Sequence, residues 1–482
     1  MNGIDKSCTK EKYVFYIFLA VILARNLIFM VDGFGEQDAA RLVNDAIIWS
    51  STGQIPFLEY RGKTSPLFLS YLKLMIDSGL TVDTVAIVTN VASAISGALV
   101  IAFSFLIFRF FLSLYSSIAT TVLLSFVPSL FFGSIYGFPA IIAFSFYIVS
   151  TWLFIISSKQ TTKSVYLYAA SFVFAIIAAL CKADILITYF SYIAFFIFYN
   201  GFQIRALISI CVAVMLTALV TIFYSKLFLP LNINHTGYAG VWIDQFPFSL
   251  QNLFSKENID ITTLSFGPIF LLLSCVGILF GISDKKYRYF VLLLALSLLP
   301  SIIFWGGRPG NSARHMSFMS IYIMLFCGFA IDFFSQKGHR KLVCSVLISA
   351  ILISNYFSRE PWPSTVITST RIFESALLFN QSNDVLNNTA LNLINTTYGD
   401  IAIIDSWTLP YSINNLLRKT LKIISAERLL EYDRIAIVDI YGKHREIKIV
   451  RAKSLQEAKE LVAKIDERFF VFSSQYPEIT VL

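Results

Sequence analysis

The sequence predicts an all-α polytopic membrane domain of about eleven transmembrane helices, followed by a small extracytoplasmic α/β domain. Three observations carry this prediction. Of 482 residues, 56% are hydrophobic and only 14% are charged, against about 25% charged in soluble domains. The apolar residues fall into runs long enough to cross a bilayer, which takes roughly 20 residues. Charge returns only at the end, where the last 111 residues hold 27 of the 68 charged residues. This composition excludes a disordered chain, a nucleic-acid binder and a disulfide-stapled secreted domain. Phe alone accounts for 46 residues, a usage suited to lipid contact.

The candidate spans are 13–31, 83–108, 112–132, 138–157, 164–181, 185–200, 205–229, 263–282, 288–305, 315–333 and 341–357. The first carries Arg25 and is followed by no small-residue cleavage site, so it reads as an anchor rather than a cleaved signal peptide. The short joins within 112–157 and 164–200 predict hairpins, and no internal repeat of constant period is visible. Placing the N-terminus in the cytoplasm puts thirteen basic residues, from Lys6 to Lys341, in the cytoplasmic segments against four acidic ones. The first outer loop, 32–80, has four basic and six acidic residues. This is the positive-inside bias, so most of the net charge of +8 is a topology signal rather than a binding surface. An odd number of spans leaves the C-terminus outside, so residues 1–357 form the membrane domain and 358–482 the extracytoplasmic domain.

In that second domain, β-rich runs occur at 401–405, 421–425, 434–440, 446–450 and 469–473. Ser454 and Glu457 form a capping box that opens an amphipathic helix reaching about Asp466. All six cysteines (Cys8, Cys181, Cys211, Cys275, Cys327 and Cys344) precede this domain, and their spacing resembles no zinc site. With four histidines in the chain, a His-based metal site is not expected.

Polar residues that gather at one membrane face mark candidate chemistry, because transmembrane helices are nearly empty of charge. They gather at the outer face. The first outer loop reads Gly35-Glu36-Gln37-Asp38-Ala39-Ala40-Arg41-Leu42-Val43-Asn44-Asp45. At helical period, Asp38, Arg41 and Asp45 share one face and Leu42, Val43, Ala46 and Ile47 the other. Such a helix lies along the membrane surface, with its carboxylates toward water or a cavity. Taken alone, the polar face is equally an interfacial ion pair contributing a few tenths of a kcal/mol. The stretch Glu59-Tyr60-Arg61-Gly62-Lys63-Thr64-Ser65-Pro66-Leu67-Phe68 then sets two cations and a turn before a second interfacial segment, 66–76.

Together these features resemble the polyprenol-phosphate-dependent GT-C glycosyltransferases, which include the protein O-mannosyltransferases and the lipid A aminoarabinose transferases. The matching residues are Glu36-x-Asp38, Arg41 and Lys63-Thr64-Ser65-Pro66-Leu67, and the span number and topology are also similar. The resemblance implies a GT-C-like membrane domain and a sugar moved from a polyprenyl-phosphate carrier to a lipid, glycan or protein acceptor. It assigns Asp38 as general base and places Arg41 and Lys63 on the lipid phosphate. Glu36 would orient Asp38 or join it in holding a divalent cation (Mg or Mn), and no other cofactor is implied. These residue types suit that chemistry. A carboxylate takes the proton of the acceptor hydroxyl, and cations stabilise the departing phosphate most where water is excluded. Arg offers a planar fork and Lys a point charge. A single displacement inverts the anomeric carbon. The implied setting is the cytoplasmic (inner) membrane, with the C-terminal domain periplasmic.

The resemblance also implies a second acid, of the kind many relatives carry, in the short outer loop after the third span. Here that loop, Gly133-Ser134-Ile135-Tyr136-Gly137-Phe138-Pro139, has none. Asp184 is the candidate substitute; its other reading is an ion pair with Lys182 at an exposed hairpin tip. Arg308, Arg314 and His315 precede the tenth span from outside and resemble the family's basic entry to a late span, facing the lipid phosphate; the other reading is headgroup contact. Arg25, roughly 9 Å below the outer surface, either pairs with Asp32 or Glu36 or binds phosphate. Aromatics in loop 230–262, including Tyr238 and Trp242, stack on sugars or anchor at the interface. The competing function class is a flippase or exporter of lipid-linked sugars. Related halves, interrupted helices and midplane polar residues would mark it, and the sequence displays none of these.

Overall fold

The computed structural model describes residues 2–30, 65–135, 137, 139–159, 164–228, 249–256, 266–307, 317–339 and 343–349 (347 excepted). It also describes single positions at 42, 43, 46, 49, 50, 53, 259 and 263, and five short strands beyond residue 400. The helices are α1 (Asn2–Ile28), α2 (Pro66–Asp77), α3 (Val82–Phe108), α4 (Leu114–Leu124), α5 (Pro128–Ile135), α6 (Pro139–Lys159) and α7 (Ser164–Cys181). They continue as α8 (Ser191–Asn200), α9 (Ile204–Phe228), α10 (Pro268–Ser283), α11 (Arg288–Gly306) and α12 (Ser320–Gln336). Three 3-10 helices are inserted at Ala183–Phe190, Leu250–Phe254 and Ser317–Met319. All but the last predicted span therefore coincide with described helix, and within 341–357 the described residues are helical too.

Local sequence sets the starts. Thr81 and Ser113 cap α3 and α4 by accepting the backbone N–H of Thr84 and Ser116, each at 3.3 Å. Pro66, Pro128, Pro139 and Pro268 open their helices, where a missing N–H costs nothing. Thr84–Phe108, Pro139–Lys159 and Ser317–Gln336 are long and apolar enough to cross a membrane, and α4 with α5 makes a fourth if counted as one span. Outward faces carry Leu272, Leu279, Leu296, Val212 and Met215, as lipid contact requires. The chain is a multi-pass membrane protein.

Two expectations need correction. Segment 112–132 is not one straight span: α4 and α5 meet at 62°. Pro128 cannot donate to Leu124, so Phe126 and Val127 close the α4 end with short i→i−3 bonds to Leu123 and Leu124. The second correction concerns the hairpins. Because α5 bends away and the Ala183–Phe190 turn offsets α8, α6 packs most extensively on α7, while α8 packs between α6 and α11.

The bundle has two distinct ends. At one, Glu11 on α1 pairs with Arg109 at 2.8 Å, and Asp332 on α12 accepts the Ser113 N–H at 3.2 Å. Tyr287 donates to the Phe111 carbonyl at 2.9 Å, and Lys159 lies 5.6 Å from the Phe110 ring centroid. This end gathers residues that the charge bias predicts to be cytoplasmic. At the opposite, predicted outer end lie the last turn of α1, α2, the start of α3, α5 and the start of α6.

Helices approach closely where glycine allows it. A Cβ on Gly277 of α10 would lie 1.7 Å from the Phe326 carbonyl oxygen of α12. One on Gly281 would come within 2.7 Å of the Val291 Cγ2 of α11, a side chain rather than backbone. The missing side chain at Gly277 lets the backbones of α10 and α12 touch.

Beyond residue 400, β1 (Ala402–Ile404) pairs parallel with β2 (Ile435–Asp439), and β2 pairs antiparallel with β3 (Lys448–Ala452). A separate antiparallel pair joins β4 (Phe470–Phe472) to β5 (Ile479–Val481). Four strands fall on predicted runs; β5 was not anticipated. Segment 421–425 and the capping-box helix from Ser454 lie outside the described residues.

Gly277→Leu should lower the stability of the detergent-solubilised protein by about 3 kcal/mol or more, since backbone must move, and Gly281→Ala by about 1–2 kcal/mol, since only the Val291 side chain must shift. Thermal unfolding of both variants checks this; equal losses would contradict the close approach of α10 and α12.

Candidate functional site

The first outer loop is anchored by its apolar face. Leu42, Val43 and Ala46 are fully buried and pack with Phe68, Leu69, Leu72 and Met75 of α2 and Val85 and Ala86 of α3. These are three of the four residues that the helical period assigns to that face; Ile47 lies outside the described residues. So do Glu36, Asp38, Arg41 and Asp45, which the same period assigns to the opposite face. Trp49 and Ser50 fasten the loop to the far end of α2. Ser50 Oγ donates to Asp77 at 2.6 Å, and Lys73 pairs with Asp77 while lying 5.3 Å from the Trp49 ring centroid. The hydrogen bond from Lys73, then that from Ser50, holds the Asp77 carboxyl below its ordinary pKa. This fastening is therefore complete above the ordinary carboxylate pKa and is lost as pH falls through the lower folded value.

At its other end, α2 begins in the cation-and-turn motif. Pro66 occupies the first turn, and the preceding Ser65 is buried with its hydroxyl unpartnered among the described residues. Lys63 lies outside the described residues. Arg308, Arg314 and His315 do too, but both flanks of their segment are fixed. The Gly307 carbonyl accepts Ser249 N–H at 2.8 Å and Asn252 Nδ2 at 3.1 Å, and Ser317–Met319 is buried. Asp184 lies on the Ala183–Phe190 3-10 helix, its side chain outside the described residues. Among the described residues no three His, Cys, Asp or Glu side chains gather as a metal cluster. The residues proposed for a divalent cation, Glu36 and Asp38, are not among them.

Arg25 has a definite position. Its Nε and Nη2 donate to Asn26 Oδ1 at 3.2 and 2.8 Å, and Nη1 donates to the carbonyl of Ser125, the residue closing α4. The guanidinium stacks over the Phe131 ring of α5, 5.1 Å from its centroid. Asn26 in turn donates to the Ala94 carbonyl at 3.0 Å. Arg25 thus sits in the α4–α5 break, where the Ser125 carbonyl and the negative end of the α4 dipole face a cation. Among the described residues its partners are neutral acceptors rather than a carboxylate.

One polar cluster escaped the sequence reading. Tyr147 of α6 and Tyr322 of α12 share a hydroxyl contact, and Ser191 reaches them at 3.0 and 2.7 Å. Tyr192 and Ser150 bond at 2.6 Å, and Ser150 donates to the Ser171 carbonyl of α7 at 2.6 Å. All four tyrosines in this region, Tyr189 included, are buried. Isolated Tyr and Ser inside apolar runs were the available signal. Their effect is to fix the packing of α6, α7, α8 and α12 by hydrogen bonds between the helices.

No protein-family model matches the chain, and no curated protein does. Solved structures do. The chain is similar to ArnT from Cupriavidus metallidurans in the apo state, at 12% identity and a TM-score of 0.55 over 84% of each chain. It is similar also to that protein bound to undecaprenyl phosphate, at 11% identity and a TM-score of 0.56 over 97% of each chain. The chain has the fold of ArnT. This is the GT-C fold that the first-loop motifs imply, and the likeness runs through nearly the whole chain.

Arg25→Met should cost about 2–3 kcal/mol of stability by leaving the Ser125 carbonyl unpaired, with Arg25→Lys recovering part of the loss. Thermal unfolding in detergent measures both. Unchanged stability with weakened phosphate-ligand binding would instead assign Arg25 to a ligand.

Proposed function

We propose that this protein is an inverting glycosyltransferase that moves a sugar from a polyprenyl-phosphate carrier to a lipid, glycan or protein acceptor at the outer face of the cytoplasmic membrane. The observation that carries the reading is the likeness, over 97% of both chains, to ArnT bound to undecaprenyl phosphate. The acid and cation pattern of the first loop supports it independently, because it supplies what the reaction needs. Asp38 takes the proton of the acceptor hydroxyl as the acceptor oxygen bonds to the anomeric carbon. The bond from that carbon to the phosphate oxygen breaks, and the lipid phosphate leaves with its electron pair. Arg41 and Lys63 stabilise the negative charge developing there, with Arg308, Arg314 and His315 completing a basic surround. Glu36 orients Asp38 or shares a divalent cation with it. Asp184 stands in for the second acid missing from 133–139.

Residues 1–357 are the catalytic membrane domain with the N-terminus in the cytoplasm. Residues 358–482 are the extracytoplasmic domain, placed to receive the acceptor.

A second reading has one observation in its favour. The sequence shows no interrupted helix, but α4 and α5 are broken at 62°, a feature of transporters. On that reading the protein translocates lipid-linked sugars without cleaving them.

Asp38→Asn should lower transfer from a polyprenyl-phosphate sugar by at least about 100-fold while undecaprenyl phosphate still binds. Lys63→Ala and Arg41→Ala should weaken donor use by a similar order. Single-turnover assays on reconstituted protein test this. Normal turnover by Asp38→Asn defeats the assigned mechanism, and movement of intact lipid-linked sugar without cleavage favours translocation.

A further inference from the structure

We propose that the buried N-terminus of α2 is a phosphate-binding point, at which the Ser65 hydroxyl and the first backbone N–H groups of the helix hold a phosphate oxygen. The inference deepens the glycosyltransferase reading and rests on it for the source of that phosphate, the lipid carrier.

Helix α2 enters the protein by its N-terminal end. Ser65 is 1% exposed, and Phe68 and Leu69 are buried, whereas Leu74, toward the other end, is 65% exposed. At that outer end Asp77 is fastened by Lys73 and Ser50. The helix packs on α3, α7 and α9. The positive end of the α2 dipole is therefore turned inward.

A buried helix start needs acceptors for its first N–H groups, which have none inside the helix. In α2 the Leu69 N–H already reaches the Ser65 carbonyl at 3.0 Å. Pro66 has no N–H to satisfy, which leaves those of Leu67 and Phe68. A serine before a helix normally meets this need itself, turning its oxygen onto the first turn from an extended backbone. Ser113 does so before α4, at ψ 161°. Ser65 does not: its backbone stands at φ −141°, ψ 52°, and its side chain accepts nothing from the helix. Nor does its buried hydroxyl have a hydrogen-bond partner among the described residues. That oxygen is two bonds from the Cα of the cap, so it stands at the helix end in every rotamer.

The Ser65 O–H and the N–H groups of Leu67 and Phe68 are donors at one buried, electropositive point. An oxyanion suits such a point: it accepts several hydrogen bonds, donates none, and carries the charge that the dipole favours. Water, neutral and itself a donor, matches it less well. Of oxyanions, the phosphate of a polyprenyl carrier is the one that the proposed reaction brings to the outer end of the bundle.

The test uses the full chain in nanodiscs, wild type and Ser65→Ala, with undecaprenyl phosphate, undecaprenol and inorganic phosphate as probes. Wild type should bind undecaprenyl phosphate at least ten-fold more tightly than undecaprenol. Ser65→Ala should weaken undecaprenyl phosphate binding by at least about ten-fold and leave undecaprenol binding unchanged. Its thermal midpoint without ligand should equal or exceed that of wild type, because the change removes a buried hydroxyl that lacks a partner. Undecaprenyl phosphate bound by Ser65→Ala at wild-type strength overturns the proposal. A marked fall in the unliganded midpoint, or failure to fold, overturns it too, since the hydroxyl would then have a partner within the protein. Inorganic phosphate separates this proposal from the reading beneath it. If wild type does not distinguish the two lipids, the donor reading fails; the anion site still stands where inorganic phosphate raises the midpoint of wild type and not of Ser65→Ala, and falls where it raises neither.

Discussion

A membrane interior offers no water to a stray donor, acceptor or charge, so every polar group within it must find its partner in the protein. This constraint accounts for the features that set this chain apart from a simple stack of apolar helices. At the α4–α5 break, Arg25 occupies the position of the missing helical partner of the Ser125 carbonyl. Between α6, α7, α8 and α12, tyrosine and serine hydroxyls bond to one another and to backbone. Where α10 meets α12, Gly277 removes the side chain that would separate two backbones. Each device satisfies or brings together groups that lipid cannot solvate.

Much of the helical order is legible in composition alone, because apolar runs of membrane-spanning length have few other uses. The details that escaped depend on single residues that hydropathy averages away. Pro128 is visible in the sequence, yet the run 112–132 is uncharged throughout, and only the lost N–H shows that it must bend. The 3-10 stretch after Lys182 has the composition of an α-helix; packing against its neighbours, rather than propensity, decides its form. The tyrosine cluster arises from residues up to 175 positions apart, a distance that no local period reports. β5 is three residues at the chain end, shorter than the alternation needed to recognise a strand.

Of the candidate site, the described residues test only the apolar face of the first loop. The period of the first loop correctly assigns Leu42, Val43 and Ala46 to a buried face, because amphipathic burial follows from spacing. Where Asp38, Arg41 and Lys63, which lie outside the described residues, sit depends on tertiary connections that spacing does not report. Lys182 is buried although its place at an apparent hairpin tip gives no sign of it.

On the proposed function, the outer end of this bundle holds a lipid phosphate among side chains of the first loop. An experimental structure of the protein with undecaprenyl phosphate tests it most directly. Phosphate density is expected within hydrogen-bonding distance of Arg41 and Lys63, with the Asp38 carboxylate facing the same space. Phosphate bound at the opposite end of the bundle, or Asp38 turned away from it against lipid, would rule the proposed site out.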